Sequence, residues 1–116
     1  MKSPTELSVI PMETIRQMGN LIGERFHPEK VILFGSYARG EAGIDSDVDL
    51  MVVMESKAQW YERSVPIWMA ISERWIEPID IIVRSPEVFA QRQSQPDTLE
   101  YAAMREGVVL YEEKRL

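Results

Sequence analysis

A chain of 116 residues holds one domain and leaves no room for two. Its 45% hydrophobic and 28% charged residues suit a soluble globular protein, and the lack of cysteine excludes disulfides, thiol nucleophiles and zinc–thiolate sites. A net charge of −6, from 19 acidic against 13 basic residues, argues against direct binding to long DNA or RNA.

The same acidity suits a basic protein partner, or simply keeps the chain soluble. The start, Met1-Lys2-Ser3-Pro4, lacks the apolar stretch of a signal peptide, and no run approaches membrane-spanning length. The expectation is therefore a cytoplasmic protein without a membrane partner. Residues 1–11 have little periodicity and read as a loose, flexible lead-in, with one domain over residues 12–116.

Met12, Ile15, Met18, Ile22 and Phe26 recur at three- and four-residue intervals, which predicts an amphipathic helix ended by His27-Pro28. Lys30 to Phe34 predicts a buried strand. Gly35-Ser36 follows directly, Tyr37 to Gly40 predicts a helical turn, and Gly40 to Ser46 a loop. Asp47 to Val53 predicts a second strand. Lys57 to Ile76 has a mostly helical pattern, interrupted by Pro66 with Ser64 as a fresh cap. Pro78 to Val83 predicts a third strand, Ser85-Pro86 opens a short helix to about Gln91, and Asp97 with Glu100 resembles a capping box for a helix that stops before Gly107. Val108 to Tyr111 adds a last edge strand. Helices interleaved with short strands predict a small two-layer α/β (α+β) domain, a short mixed sheet packed against helices.

Chemistry concentrates between Gly35 and Asp49. Asp47 and Asp49 stand two apart on a strand and project together, while Val48 and Leu50 face the core. Paired carboxylates repel unless a cation sits between them, and hard oxygen ligands suit Mg2+ or Mn2+. Asp80, between Ile79 and Ile81, joins them if the third strand lies beside the second. Three carboxylates around one point fit two metal ions, and Asp80 is placed to take a proton from an attacking hydroxyl. Gly35 lets backbone N–H groups approach a phosphate, the Ser36 hydroxyl can donate to it, and Arg39 helps neutralise it. No Gly-Lys-Ser/Thr follows at Walker spacing.

At Gly35, Ser36, Asp47, Asp49 and Asp80 the sequence resembles the DNA polymerase beta-like nucleotidyltransferase superfamily, most of all its minimal members, from about Met12 to Tyr111. The resemblance implies a nucleotidyltransferase fold, with Gly35 and Ser36 binding nucleotide and the three aspartates as metal ligands and catalytic groups. It implies an enzyme that uses two Mg2+ ions (Mn2+ as a substitute) to move AMP from ATP to an acceptor. Many minimal members are antitoxins (MNT) beside a HEPN-type ribonuclease toxin, so the expected acceptor is a toxin tyrosine and the expected partner that toxin. A small-molecule transferase like the aminoglycoside-modifying relatives, working as a homodimer, is the alternative, as is neutralisation by contact alone. A free small-molecule acceptor usually needs an extra domain, and the chain has none; this favours an acceptor brought by a partner, in a hetero-oligomer.

Other residues read as structure. Trp68 and Trp75, seven apart with Trp60 further round, read as core packing, with an aromatic patch for a partner helix as the alternative, and the seven methionines as core filler. His27 reads as a loop residue, Arg84 as half of a surface salt bridge, and Tyr37 and Tyr111 as packing residues.

Overall fold

The computed structural model describes residues 9–59 and 62–114. Most of the lead-in and Trp60 lie outside these residues. The order of elements is α1 (Met12–Phe26), β1 (Lys30–Phe34), α2 (Ser36–Arg39), β2 (Val48–Val53), α3 (Val65–Ser72), β3 (Ile79–Arg84), α4 (Pro86–Arg92), α5 (Leu99–Glu106) and β4 (Val108–Glu112). α1 ends where His27 adopts a left-handed conformation (φ 49°) and donates its backbone N–H to the Gly23 carbonyl. Here the proline that follows blocks further helix.

The strands form one mixed sheet in the order β3-β2-β1-β4. β1 pairs antiparallel with β2 and β4, whereas β2 and β3 run parallel with α3 in the crossover between them. Strand alternation divides the apolar residues between two faces. Val31, Leu33, Val48, Leu50, Val52, Ile81 and Val83 meet Ile15, Met18 and Ile22 of α1 and Ile67 and Ile71 of α3 in the main core. Ile32, Phe34, Met51 and Val53 face the other way and are covered by Phe89 of α4 and Ala103 of α5. The small α+β fold and its mixed sheet agree with the sequence reading; α4 and α5 add partial cover on the second face. Among the described residues no helix is long and apolar enough to cross a membrane.

Several local expectations change. Helix forms only from Val65 to Ser72 within the Lys57–Ile76 segment, with Pro66 in its first turn. Proline lacks the donor and the space for a preceding helical turn, so the helix starts there and does not run through. Ser64 holds the cap position but makes no side-chain cap. Trp75 lies beyond the end of α3, so the seven-residue spacing has no continuous helix to act on. Trp75 packs against the core, whereas Trp68 is 53% exposed, as is Met69 at 58%. Among the methionines, Met18 and Met51 are fully buried while Met104 is half-exposed.

The cap of α5 is Thr98, not Asp97: the Thr98 hydroxyl accepts the Tyr101 N–H at 3.0 Å. Glu100 is then free of capping and is fully buried, where Arg84 Nε reaches it at 2.9 Å and Arg92 Nε at 3.5 Å. Arg84, itself partly exposed, is thus paired with a fully buried carboxylate that ties α5 to the end of β3, not with a surface one. Ser85 caps α4 as expected, accepting the Val88 N–H at 3.1 Å.

Removing one partner of a buried pair costs about 3–5 kcal/mol because the other charge stays buried. Arg84→Ala is expected near the low end, about 3 kcal/mol, because Arg92 remains. Arg92→Ala, at a longer distance and nearly half exposed, is expected to cost under about 1 kcal/mol. Urea unfolding of the two variants measures the difference.

Candidate functional site

β1 delivers the chain to Gly35, which has φ 78° and ψ −157°, backbone territory that side chains effectively forbid. A Cβ there would also collide with Asp49 Oδ2. Gly35 therefore meets two independent demands, a left-handed turn and close approach to a carboxylate. α2 begins at once with Ser36, whose hydroxyl has no hydrogen-bond partner among the described residues. Tyr37 turns into the core, and its hydroxyl accepts the Ile10 N–H at 3.0 Å, so it is a packing residue. The loop to β2 is pinned by Gly43 N–H donating to Ser46 Oγ (2.9 Å) and Ser46 N–H to the Gly43 carbonyl (3.1 Å). That turn hands Asp47 to the start of β2.

Pairing then brings the candidate residues to one end of the sheet. Asp49 lies opposite Phe34 on its antiparallel side and opposite Asp80 on its parallel side. Val48 N–H donates to the Pro78 carbonyl at 3.0 Å, which fixes where β3 begins. Adjacent strands are about 4.8 Å apart, so Asp49 and Asp80 are immediate neighbours on one face, with Asp47 two residues upstream. Asp49 is half-buried, whereas Asp47 and Asp80 are exposed.

The electrostatics follow. Burial first, then the charges of Asp80 and Asp47, raise the proton affinity of the Asp49 carboxyl; Arg39 opposes them. Arg39 is itself held: Nε donates to Glu41 Oε2 at 3.2 Å and Nη1 to Glu106 Oε1 at 3.0 Å. The hydrogen bond to Glu41, then the charge of Glu106, hold its proton more firmly than usual. Glu41 and Glu106 did not stand out in the sequence. Glu106 is 67 residues from Arg39, and only the placement of α5 beside β1 brings the two together.

The donor set suits a hard divalent cation, and crowded like charges around a half-buried carboxylate are what such a cation relieves. Among the described residues no three acidic or imidazole groups yet converge on one point. Asp47 and Asp80 are exposed beside the half-buried Asp49.

Residues 16–116 match the family described as Polymerase beta, Nucleotidyltransferase. A Methanocaldococcus jannaschii protein provisionally assigned as a protein adenylyltransferase is 27% identical over 101 residues, spanning 85% of this chain and 96% of that one. A crystal structure from Sulfolobus solfataricus, provisionally assigned as a nucleotidyltransferase, superposes with a TM-score of 0.57 at 18% identity, covering 87% of this chain and 79% of the other. A toxin–antitoxin complex with AMP-PNP superposes with a TM-score of 0.50 at 16% identity, covering 90% and 76% of the respective chains. The last two likenesses are of fold.

The raised proton affinity of Asp49 carries a sign for stability. Below the carboxyl's unfolded pKa the group is neutral in both states and costs nothing. As pH rises above that value the folded state resists ionisation, so charge on Asp49 destabilises the fold toward neutrality. Asp49→Asn is therefore expected to melt higher than the wild type at pH 7 in chelator, with the gap closing below about pH 4. Thermal melts across that range test it.

Proposed function

The chain belongs to the polymerase beta nucleotidyltransferase family and is a nucleotidyltransferase, and from that premise we propose that it transfers AMP from ATP to a tyrosine of a HEPN-type ribonuclease toxin, acting as the toxin's antitoxin. The observation that carries this reading is the in-register pair Asp49–Asp80 beside the Gly35 turn. Support for a protein acceptor comes from the M. jannaschii relative, matched over nearly its full length. The toxin–antitoxin neighbour with an ATP analogue supports the donor and the partner.

In this reading the backbone at Gly35 and the Ser36 hydroxyl hold the terminal phosphates, and Arg39 offsets their charge. Asp47, Asp49 and Asp80 would hold Mg2+, two ions with Mn2+ as a substitute, which when bound supply positive charge at the triphosphate and acidify the acceptor hydroxyl. The tyrosine oxygen attacks the α-phosphorus and forms a new O–P bond. The bond from that phosphorus to its bridging oxygen breaks, and pyrophosphate leaves. Asp80 takes the hydroxyl proton. Its position on an edge strand, exposed to solvent, leaves room for an acceptor carried by another protein.

The proposal predicts that protein, MgATP and toxin together give AMP additions on the toxin in intact-mass spectra. Asp47→Ala/Asp49→Ala and excess EDTA are each expected to abolish them. Asp80→Asn, which removes the base, is expected to slow transfer about 10²–10⁴-fold. Neutralisation of the toxin without a mass change, and equally by the double variant, would instead establish action by contact. AMP added to an aminoglycoside but to no protein would establish the small-molecule reading.

A further inference from the structure

Arg39 is the cation that opposes the aspartate charges at Asp49, and it is tethered from two sides. One tether is local, Glu41 in the following loop. The other, Glu106, comes from a distant element. Glu106 is the last residue of α5, where a carboxylate faces the negative end of the helix dipole and is disfavoured unless a cation meets it. The end of α5 is seated against β1 through Gly107, at which a Cβ would run into Ile32 Cγ2, the Ala103 carbonyl and the Leu33 carbonyl at 3.0 Å. β1 continues within two residues into Gly35-Ser36. One strand thus supports both the phosphate turn and the helix end that carries Glu106.

We propose that Glu106 is a positioning residue for the donor nucleotide: with Glu41 it fixes the Arg39 guanidinium so that its remaining N–H edge is ready for the triphosphate. This rests on the nucleotidyltransferase reading above. Arginine has five N–H donors, and the two glutamates take only the Nε and one Nη. The Arg39 side chain is 40% exposed and that of Glu106 28%, so the pair adds little to stability. Its effect is on freedom: an arginine already held loses less on binding its ligand. Release of Glu106 leaves Arg39 attached only to its own loop.

The test measures MgATP affinity and steady-state transfer for the wild type, Glu106→Ala, Arg39→Ala and the double variant, with thermal melts of each. Glu106→Ala is expected to weaken ATP binding and raise KM about three- to tenfold, with kcat and melting temperature nearly unchanged. In the Arg39→Ala background the same change is expected to do nothing further, because the residue acts through Arg39. Tighter ATP binding by Glu106→Ala would overturn the proposal, since Glu106 would then compete with the phosphates. Unchanged affinity, or a full extra loss in the Arg39→Ala background, would also overturn it. A wild type that binds no MgATP and transfers nothing contradicts the underlying reading and takes this inference with it, an outcome separate from the others.

Discussion

The parallel pairing of β2 with β3 is the constraint on which the site depends. Val48, Leu50 and Val52 on one strand and Ile81 and Val83 on the other must all face α1 and α3. That requirement alone sets the register, because a slip of one residue would expose those side chains and drive Asp80 into the core. The price of the correct register is that Asp49 and Asp80 fall side by side on the opposite face. Apolar burial on one side of the sheet therefore enforces like-charge crowding on the other. The crossover through α3 and the hydrogen bond from Val48 to Pro78 hold the arrangement at its open end.

The chain contains two kinds of carboxylate under constraint, and their surroundings separate their roles. Glu100 is completely buried and meets two arginines, which makes it a structural tie between α5 and β3. Asp49 is only half-buried, and two more carboxylates bear on it while, among the described residues, Arg39 opposes them. A folded protein tolerates that imbalance where a ligand of opposite charge completes it. Gly35 reinforces the point, since its backbone closes on the same carboxylate in a conformation other residues avoid.

Much of this was legible in the chain itself. Strand alternation sets Asp49 and Asp80 on one face, as their pairing has it, with Asp47 just ahead of β2, and the turn expected at Gly35-Ser36 follows β1 directly. Boundaries of α1 and β1 follow from short-range periodicity and from Pro28, whose ring sterics act within a residue or two, while β3 lies one residue later than expected, at Ile79–Arg84. What was not legible depends on distance in sequence. The Arg39–Glu106 and Arg84–Glu100 contacts arise only when α5 docks on the sheet, and no local pattern encodes that docking. Trp68 is exposed for a related reason: its spacing from Trp75 implies a shared helical face, but the helix stops at Ser72.

A divalent cation and a nucleoside triphosphate are proposed to meet at the Asp47, Asp49 and Asp80 end of the sheet. Paramagnetic broadening of backbone amide signals by Mn2+, added with a non-hydrolysable ATP analogue, tests this most directly. Broadening is expected to centre on Gly35, Ser36, Asp49 and Asp80 and to vanish in Asp47→Ala/Asp49→Ala. A separate acidic pocket, lined by Glu29, Glu55 and Glu113 with His27, serves as the internal control. Broadening centred on that pocket, or unchanged in the double variant, would place the cation elsewhere and rule out this site.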